Sequence, residues 1–492
     1  MTTLRAVAGH LPGLAPADVQ WQQLVFASGT TRLEVDMPVL SPQQMGALAR
    51  RVKEASRLHL KTMTVSQIVA VVDRAIARLL DPRDPYRMQA DQLLPIVSGY
   101  DAEMVRLGLT AFLKTFRAPQ LHRFVAEDFA NPLWLDDFQP RPKGGMAKAF
   151  GPDLLVHSWA GNVPALPLWS LVCGLLVKAG NIGKLPSAEP LFAGLFARLL
   201  AEVHPPLADC LAVVWWKGGD NTEDGQASAL YAEADTVLAY GGNATLEEIR
   251  RRLPVTTRYL PYGHKLGFGL LGVAALDTLR APANARLAAW DVMRYDQQGC
   301  YSPHVFYVER GGKVSPREFA HYLASELANL QRRFPRQALS LEDSAAVAGW
   351  RQGIELKSMS ADEASAVELI GEDGAAWGVA YADAPQPLAP TALNRSILVC
   401  AVDALDQAIA QVAAHAPFLQ TAGIAADPAE LFRLSPLLGA AGVTRITAIG
   451  AMTSPEAGWH HDGRFNLLDL VRVVEIEQSA ELAADKLAPY AD

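Results

Sequence analysis

From Leu154 onward, short apolar runs alternate with helical stretches, and this alternation constrains the fold more than any other feature of the chain. Leu154-Leu155-Val156, Asn181 to Leu185, Leu211 to Trp216 and Asp235 to Tyr240 are strand-like runs, too short for buried helices. Pro164 to Val177, apolar on every face, and Leu191 to Val203 are the helices interleaved with them. Strands and helices alternating at this spacing build right-handed βαβ units on a parallel sheet. Ligands of such sheets sit beyond the carboxyl ends of the strands, where Gly218-Gly219 and Gly241-Gly242 fall. Thr245-Leu246-Glu247-Glu248 has the capping-box arrangement and predicts a helix start at Thr245.

The rest of the chain is organised around this core. Up to about residue 135 it reads as mainly helical, with apolar periodicity over Ser41 to Leu58, Thr64 to Leu80 and Ala102 to Phe116 and a turn at Gly99-Tyr100-Asp101. A second α/β region runs from about Leu266 to Ala448, with a helix over Ala285 to Tyr295 and strands at Val305 to Val308 and Ile397 to Cys400, the latter leading into a helix from Leu405 to Ala413. Glu342 to Pro390, rich in Ala, Asp, Glu and Gly, reads as a surface excursion, and Leu467 to Glu477 as a strand returning to a sheet. A chain of 492 residues is too long for one core. The expected division is a helical N-terminal region over 1–150, a nucleotide-binding domain over 151–264, a catalytic α/β domain over 265–448 and a return segment over 449–492.

Composition narrows the function classes. With 44 basic and 52 acidic side chains the net charge is -8, which disfavours nucleic acid as a partner. No apolar run approaches the roughly 20 residues of a membrane span, and Met1 to Ala15 lacks the features of a secretion signal, so a cytoplasmic protein is expected. The four cysteines (Cys173, Cys210, Cys300, Cys400) lie far apart without metal-ligand spacing, which excludes a disulfide scaffold and a zinc ribbon; no metal is expected.

Four motifs can carry chemistry. Gln297-Gln298-Gly299-Cys300 follows a helical stretch and precedes a strand; a cysteine there is either an exposed nucleophile or a small core filler. The other three cysteines sit inside apolar runs and read as filler. Asn162, in Ala160-Gly161-Asn162-Val163-Pro164, either caps the following helix or donates its amide to an oxyanion. Lys184 opens Lys184-Leu185-Pro186-Ser187-Ala188-Glu189-Pro190 at a strand end, where a nucleotide ribose would lie. Tyr240-Gly241-Gly242 before a helix suits a pyrophosphate at a helix N-terminus.

The order of these motifs resembles the aldehyde dehydrogenase superfamily and, more narrowly, the acyl-CoA reductase family that supplies the aldehyde in bacterial bioluminescence. Gly161-Asn162-Val163-Pro164, Lys184 with Ser187-Ala188-Glu189-Pro190, Tyr240-Gly241-Gly242, Tyr262-Gly263-His264-Lys265, Gly299-Cys300, and Asp462-Gly463 with Leu470-Val471-Arg472 carry the resemblance, over roughly residues 95 to 477. It implies an α/β, aldehyde dehydrogenase-like fold: a Rossmann-type nucleotide-binding domain, a second α/β catalytic domain holding the cysteine, and a helical N-terminal region. It implies Cys300 as the nucleophile, Asn162 at the oxyanion, and Lys184, Ser187, Glu189, Gly241 and Gly242 at the cofactor. Ser187 stands where NAD-preferring members often have a ribose-binding glutamate, which leaves room for a 2′-phosphate and points to NADPH, with NADH as the alternative.

Two departures from the superfamily matter. The Glu-Leu-Gly-Gly segment that activates the deacylating water is replaced by Gly263-His264-Lys265-Leu266-Gly267, and the Glu-x-Phe-Gly-Pro segment corresponds to Ala392 to Ser396, also without glutamate. An acyl-enzyme that waits for hydride must not be hydrolysed, so the first loss fits reduction of an acyl thioester, with CoA leaving by thiol exchange. His264 is a candidate acid or base, or a structural turn histidine. The expected activity is NADPH-dependent reduction of a fatty acyl-CoA, long-chain by resemblance, through a thioester on Cys300. An acyl-activating enzyme is the expected partner, and a homo-oligomer the expected assembly. An aldehyde-oxidising or acyl-phosphate-reducing dehydrogenase, a cofactor-free cysteine acyltransferase and a non-catalytic partner subunit are the alternatives.

Overall fold

The computed structural model describes residues 2–218, 225–359, 367–372 and 374–489; Gly219 and residues 360–366 of the expected excursion lie outside these. The chain forms two compact units, one of residues 1–98, 108–263 and 456–492, the other of residues 99–107 and 264–455. Among the described residues no helix is long and apolar enough to cross a membrane.

The first unit is built on a five-stranded, wholly parallel sheet. Its spatial order is Arg258–Tyr262, Thr236–Tyr240, Leu154–Ser158, Gly180–Lys184, Leu211–Val214. The strands expected at Leu154, Asn181, Leu211 and Asp235 are its four interior and edge members, buried on both faces as the continuous apolar runs require. The order reverses beside Leu154–Ser158, and in parallel sheets such a switch point marks where ligands bind beyond the carboxyl ends. Helices Pro167–Leu176 and Phe192–Val203 connect the strands, the first with every residue buried.

Three expectations for this unit are corrected. The helix expected from Thr245 begins at Asn243 with Gly242 as its N-cap, so Thr245 lies inside it and the capping box does not form. Capping boxes form in this unit at Ser41 with Gln44 and Thr64 with Gln67, ahead of helices Pro42–Ala55 and Val65–Leu80. The N-terminal region also opens with strands rather than helices. Gln20–Ser28 and Thr31–Val39 form an antiparallel hairpin, and Thr2–Val7 pairs with the second of these in parallel. Only Thr31–Val39 shows alternate burial, at Leu33, Val35 and Met37; the other two strands lie largely exposed, so apolar periodicity could not reveal them.

The second unit carries a seven-stranded sheet in the order Val367–Ile370, Gly378–Ala382, Ser396–Val402, Pro303–Glu309, Leu266–Leu271, Leu419–Ala425, Arg445–Ala448. All pairs are parallel except the outermost, Val367–Ile370 with Gly378–Ala382. The segment read as a surface excursion is therefore structural. It holds helix Leu341–Ser358 and two sheet strands, Gly378–Ala382 being buried throughout. Its Ala- and Gly-rich composition hid short strands that pack on their neighbours instead of supplying large apolar side chains. The strand expected over Leu467 to Glu477 spans Arg472–Ile476 and pairs antiparallel with Met146–Phe150 in the first unit.

Candidate active site

In the first unit, the residues expected at a cofactor collect at the carboxyl ends of the parallel strands. Lys184 ends its strand opposite Ser158 and Val214. Its Nζ lies 5.5 Å from the centroid of the Trp216 ring. Burial lowers the Lys184 pKa, partly offset by Glu248. Ser187 is exposed and its hydroxyl accepts from Trp215 Nε1 at 3.1 Å. Gly242 caps helix Asn243–Arg252 with no side chain on its free amides, and a Cβ there would meet nothing within 4 Å. An uncapped helix N-terminus open to close approach is a place where an anionic group can lie.

Glu189, expected beside the ribose, instead faces inward. It is 1 % exposed, and one carboxylate oxygen accepts from the amides of Leu191 and Phe192, both at 2.9 Å. Its role here is to satisfy the first turn of helix Phe192–Val203. Burial pushes its pKa up to about 7, against an ordinary value of 4.5, with the amides pulling the other way. Between those values the folded chain holds a proton that the unfolded chain has lost, so this group's contribution to stability falls as pH rises from about 4.5 to about 7. Glu189→Gln removes that dependence. Relative to the native protein the variant should gain up to roughly 3 kcal/mol between pH 5 and pH 8. Urea unfolding at both pH values measures this; an equal difference at the two would contradict it. The paired comparison cancels the like contribution of Asp291, whose pKa is also pushed up to about 7 by burial.

Asn162 does not cap the helix after it. That helix starts at Pro167 with Leu166 at the N-cap and no side-chain cap bond, five residues downstream of the exposed Asn162. The capping alternative therefore falls.

In the second unit the candidate groups gather at the amino ends of the strands, opposite to the arrangement in the first. Cys300 precedes strand Pro303–Glu309, His264 precedes Leu266–Leu271, Thr391 to Arg395 precede Ser396–Val402, and Gln420 is the second residue of Leu419–Ala425. Cys300 is half-buried, whereas Cys173, Cys210 and Cys400 are buried. Burial pushes the thiols of Cys210 and Cys400 up to about 12 and raises that of Cys173 further. Those three are inert, in line with their apolar surroundings.

The Cys300 loop is held by an unusual backbone. Tyr295, Asp296 and Gln297 have φ of 49°, 49° and 67°, and Leu393, Asn394 and Arg395 have 54°, 50° and 67°: two left-handed triplets with no glycine in either. They are bonded to each other. The Asn394 amide donates to the Asp296 carbonyl at 3.0 Å, and Arg395 Nε donates to Asp296 Oδ1 at 2.7 Å in an ion pair fully removed from solvent. The Gln297 side chain accepts from the Ser396 amide at 3.0 Å and donates to the carbonyls of Ser396 at 2.9 Å and Pro303 at 2.6 Å. The turn closes with Ser302 N donating to Gly299 O at 3.0 Å. It lies so close to the neighbouring strand that a Cβ on Gly267 would come within 2.6 Å of the Ser302 carbonyl. The segment standing where the Glu-x-Phe-Gly-Pro motif was expected thus holds the Cys300 loop.

Two groups that the sequence reading missed lie here. His304 is 3 % exposed, and its Nδ1 accepts from the Thr391 amide at 3.1 Å, which leaves the proton on Nε2. Burial, and then the charge of His264, push its pKa down to about 4. Burial likewise lowers the pKa of His264. A neutral imidazole favours His264 as a proton acceptor over a proton donor. Gln420 is fully buried and donates from Nε2 to Cys300 Sγ at 3.5 Å. Both residues are polar side chains inside or at the start of buried apolar strands, and that was the available signal. Among the described residues no cluster of three His, Cys, Asp or Glu is placed to hold a metal ion.

Comparison with known proteins places this geometry. Among solved structures, aldehyde dehydrogenase 21 from Physcomitrella patens superposes with a TM-score of 0.72 at 12 % identity, covering 97 % of this chain and 99 % of that one. A salicylaldehyde dehydrogenase from Pseudomonas putida G7 also gives 0.72 at 12 % identity, covering 96 % and 98 %. The fold is that of the aldehyde dehydrogenases. Long-chain acyl-protein thioester reductases of Vibrio harveyi and Aliivibrio fischeri are each 27 % identical to this chain. The first alignment covers 70 % of this chain and 71 % of the relative, the second 80 % and 81 %. Residues 60–473 match the family described as acyl-CoA reductase (LuxC), and the chain belongs to that family.

Proposed function

We propose that this protein reduces a long-chain acyl thioester to the aldehyde through a covalent thioester on Cys300. The observation that carries the reading is the contrast among the four cysteines: three are buried and inert, and the fourth sits half-buried in a rigidly held turn with an amide aimed at its sulfur. In this reading Cys300 attacks the acyl carbonyl, and Asn162 donates its side-chain amide to the oxyanion. The donor leaves as a thiolate, and neutral His264 relays to it the proton given up by the Cys300 thiol. Gly263 to Gly267 carries no glutamate to activate a deacylating water, so the acyl group waits on sulfur instead of being hydrolysed. A nicotinamide cofactor, when bound, supplies the hydride. Lys184 would hold its ribose and the Gly241-Gly242 turn its pyrophosphate; the small Ser187 favours NADPH, with NADH second. Residues 151–264 thus hold the cofactor and contribute Asn162 and His264 to the acyl chemistry, and 265–448 carry Cys300.

The family description and the relatives differ over the donor, acyl-CoA in one and acyl-protein in the other. The relatives favour an acyl chain carried on a partner protein's thiol, which moves the CoA thioester expected from the sequence to second place. Intact mass spectrometry tests both. The protein is incubated without cofactor with palmitoyl-CoA or with a palmitoyl group thioesterified to a small protein. An adduct mapping to Cys300, greater from the protein donor and discharged as aldehyde on adding NADPH, is the expected result. No adduct from either donor would overturn the proposal.

A further inference from the structure

We propose that Gln420 is a catalytic residue that stabilises Cys300 as a thiolate by donating its side-chain N–H to the sulfur. The role rests on the reading of Cys300 as the acyl carrier. Three features of the second unit support it. Nε2 of Gln420 is 3.5 Å from Cys300 Sγ, within reach for a donor to sulfur. The orientation of the amide is fixed from its other side, because Oε1 accepts from the Thr421 hydroxyl at 3.3 Å. Only the N–H end is therefore presented to the sulfur. The backbone is anchored too: the Gln420 carbonyl accepts from the Thr444 amide at 3.1 Å.

The sheet is also irregular at this height, on both sides of one strand. Leu266 pairs with Leu419 but Phe268 with Ala422, so the register shifts across Gln420 and Thr421. On the other side Gly267 pairs with Pro303 but Phe268 with Val305, so it shifts across His304. Regular pairing would alternate these side chains between the two sheet faces, and bulges are how a strand re-aims a side chain near a site. Here the irregularities fall at the strand ends nearest Cys300.

The donor acts where sulfur carries most charge. A nicotinamide cofactor would supply the hydride, and the reduced carbon would then carry an alkoxide while still bonded to Cys300 sulfur. The alkoxide electron pair then forms the aldehyde C=O, the C–S bond breaks, and sulfur leaves with that bonding pair as a thiolate. The Gln420 N–H stabilises this thiolate and the resting one alike.

Alkylation of Cys300 by iodoacetamide in the resting enzyme, followed against pH with the modified peptide identified by mass, tests the role independently of acyl chemistry. Gln420→Met keeps the shape and removes the donor; Gln420→Glu keeps the shape and replaces the donor with a carboxylate. The midpoint should rise by about one pH unit in Gln420→Met, a tenfold slower alkylation below the midpoint. It should rise at least as far in Gln420→Glu, with native thermal unfolding in at least one of the two. Aldehyde release in a single turnover from acyl-loaded enzyme should slow by a similar factor. An unshifted midpoint in a folded variant would overturn the role, even if acyl loading on Cys300 is normal. A shifted midpoint without acyl loading in the native protein would instead leave the donor in place and remove the proposed function.

Discussion

Replacing Cys300 with serine should abolish the acyl adduct and lower aldehyde formation by on the order of a thousandfold or more. The size of the effect follows from what a serine loses. A cysteine side chain supplies thiolate at neutral pH far more readily than a serine supplies alkoxide, which needs a strong base beside it. An oxygen ester, if formed, is also a poorer acceptor of hydride and a poorer leaving group than a thioester. No other cysteine can substitute, because Cys173, Cys210 and Cys400 are buried and their thiols are pushed well above neutrality. Serine is close in size, the site is half-buried, and the Gln420 amide can donate to oxygen as it does to sulfur, so the fold should be kept. Intact mass and single-turnover aldehyde release on the same preparation decide the matter. An adduct that persists in Cys300→Ser on a residue other than the one at position 300 would place the acyl carrier elsewhere.

The first unit was the more legible in sequence because its strands are buried on both faces. Apolar runs such as Leu154 to Val156 and Leu211 to Val214 mark such strands whatever their neighbours do. The carboxyl-end rule then located Lys184 and Gly242 without further information. The second unit obeys a different geometry. Its candidate groups lie at amino ends, where no such rule applies, and they come from four segments spread between His264 and Gln420. Motif order could find Cys300 and His264, which lie in recognisable loops. It could not find Gln420 and His304, because their meaning depends on register irregularities that only a folded sheet defines. Glu189 misled for a related reason: a carboxylate at a strand end can face the crevice or cap the following helix, and two backbone amides decided for the helix. The N-terminal strands escaped because exposure on both faces leaves no hydrophobic period to read.

Arg395→Met should destabilise the second unit by roughly 3–5 kcal/mol, among the largest effects of any single change outside the apolar core. The cause is the charge it strands. Asp296 and Arg395 are both fully buried, and each is the other's ion-pair partner. Asp296 Oδ2 accepts from the Gln337 backbone amide at 3.1 Å, which cannot replace a guanidinium. The pair also offsets a backbone cost. Each non-glycine residue in the left-handed region costs on the order of 1 kcal/mol, so the two triplets together require several kcal/mol from their surroundings. The bonds of Asp296, Gln297 and Arg395 across the triplets are what supply it. Removing the arginine should therefore loosen the Cys300 turn as well as weaken the fold. The double variant Asp296→Asn with Arg395→Met separates the two consequences. It removes both charges while keeping a residue that tolerates the left-handed conformation, and it should recover much of the stability lost in Arg395→Met. If the clamp also positions the nucleophile, the double variant should regain stability without regaining native alkylation of Cys300, since the neutral pair no longer fixes the turn. Chemical denaturation and the alkylation rate, measured on native, single and double variants, give both quantities. Full recovery of alkylation together with stability would show that the buried charges hold the fold and leave the turn to hold itself.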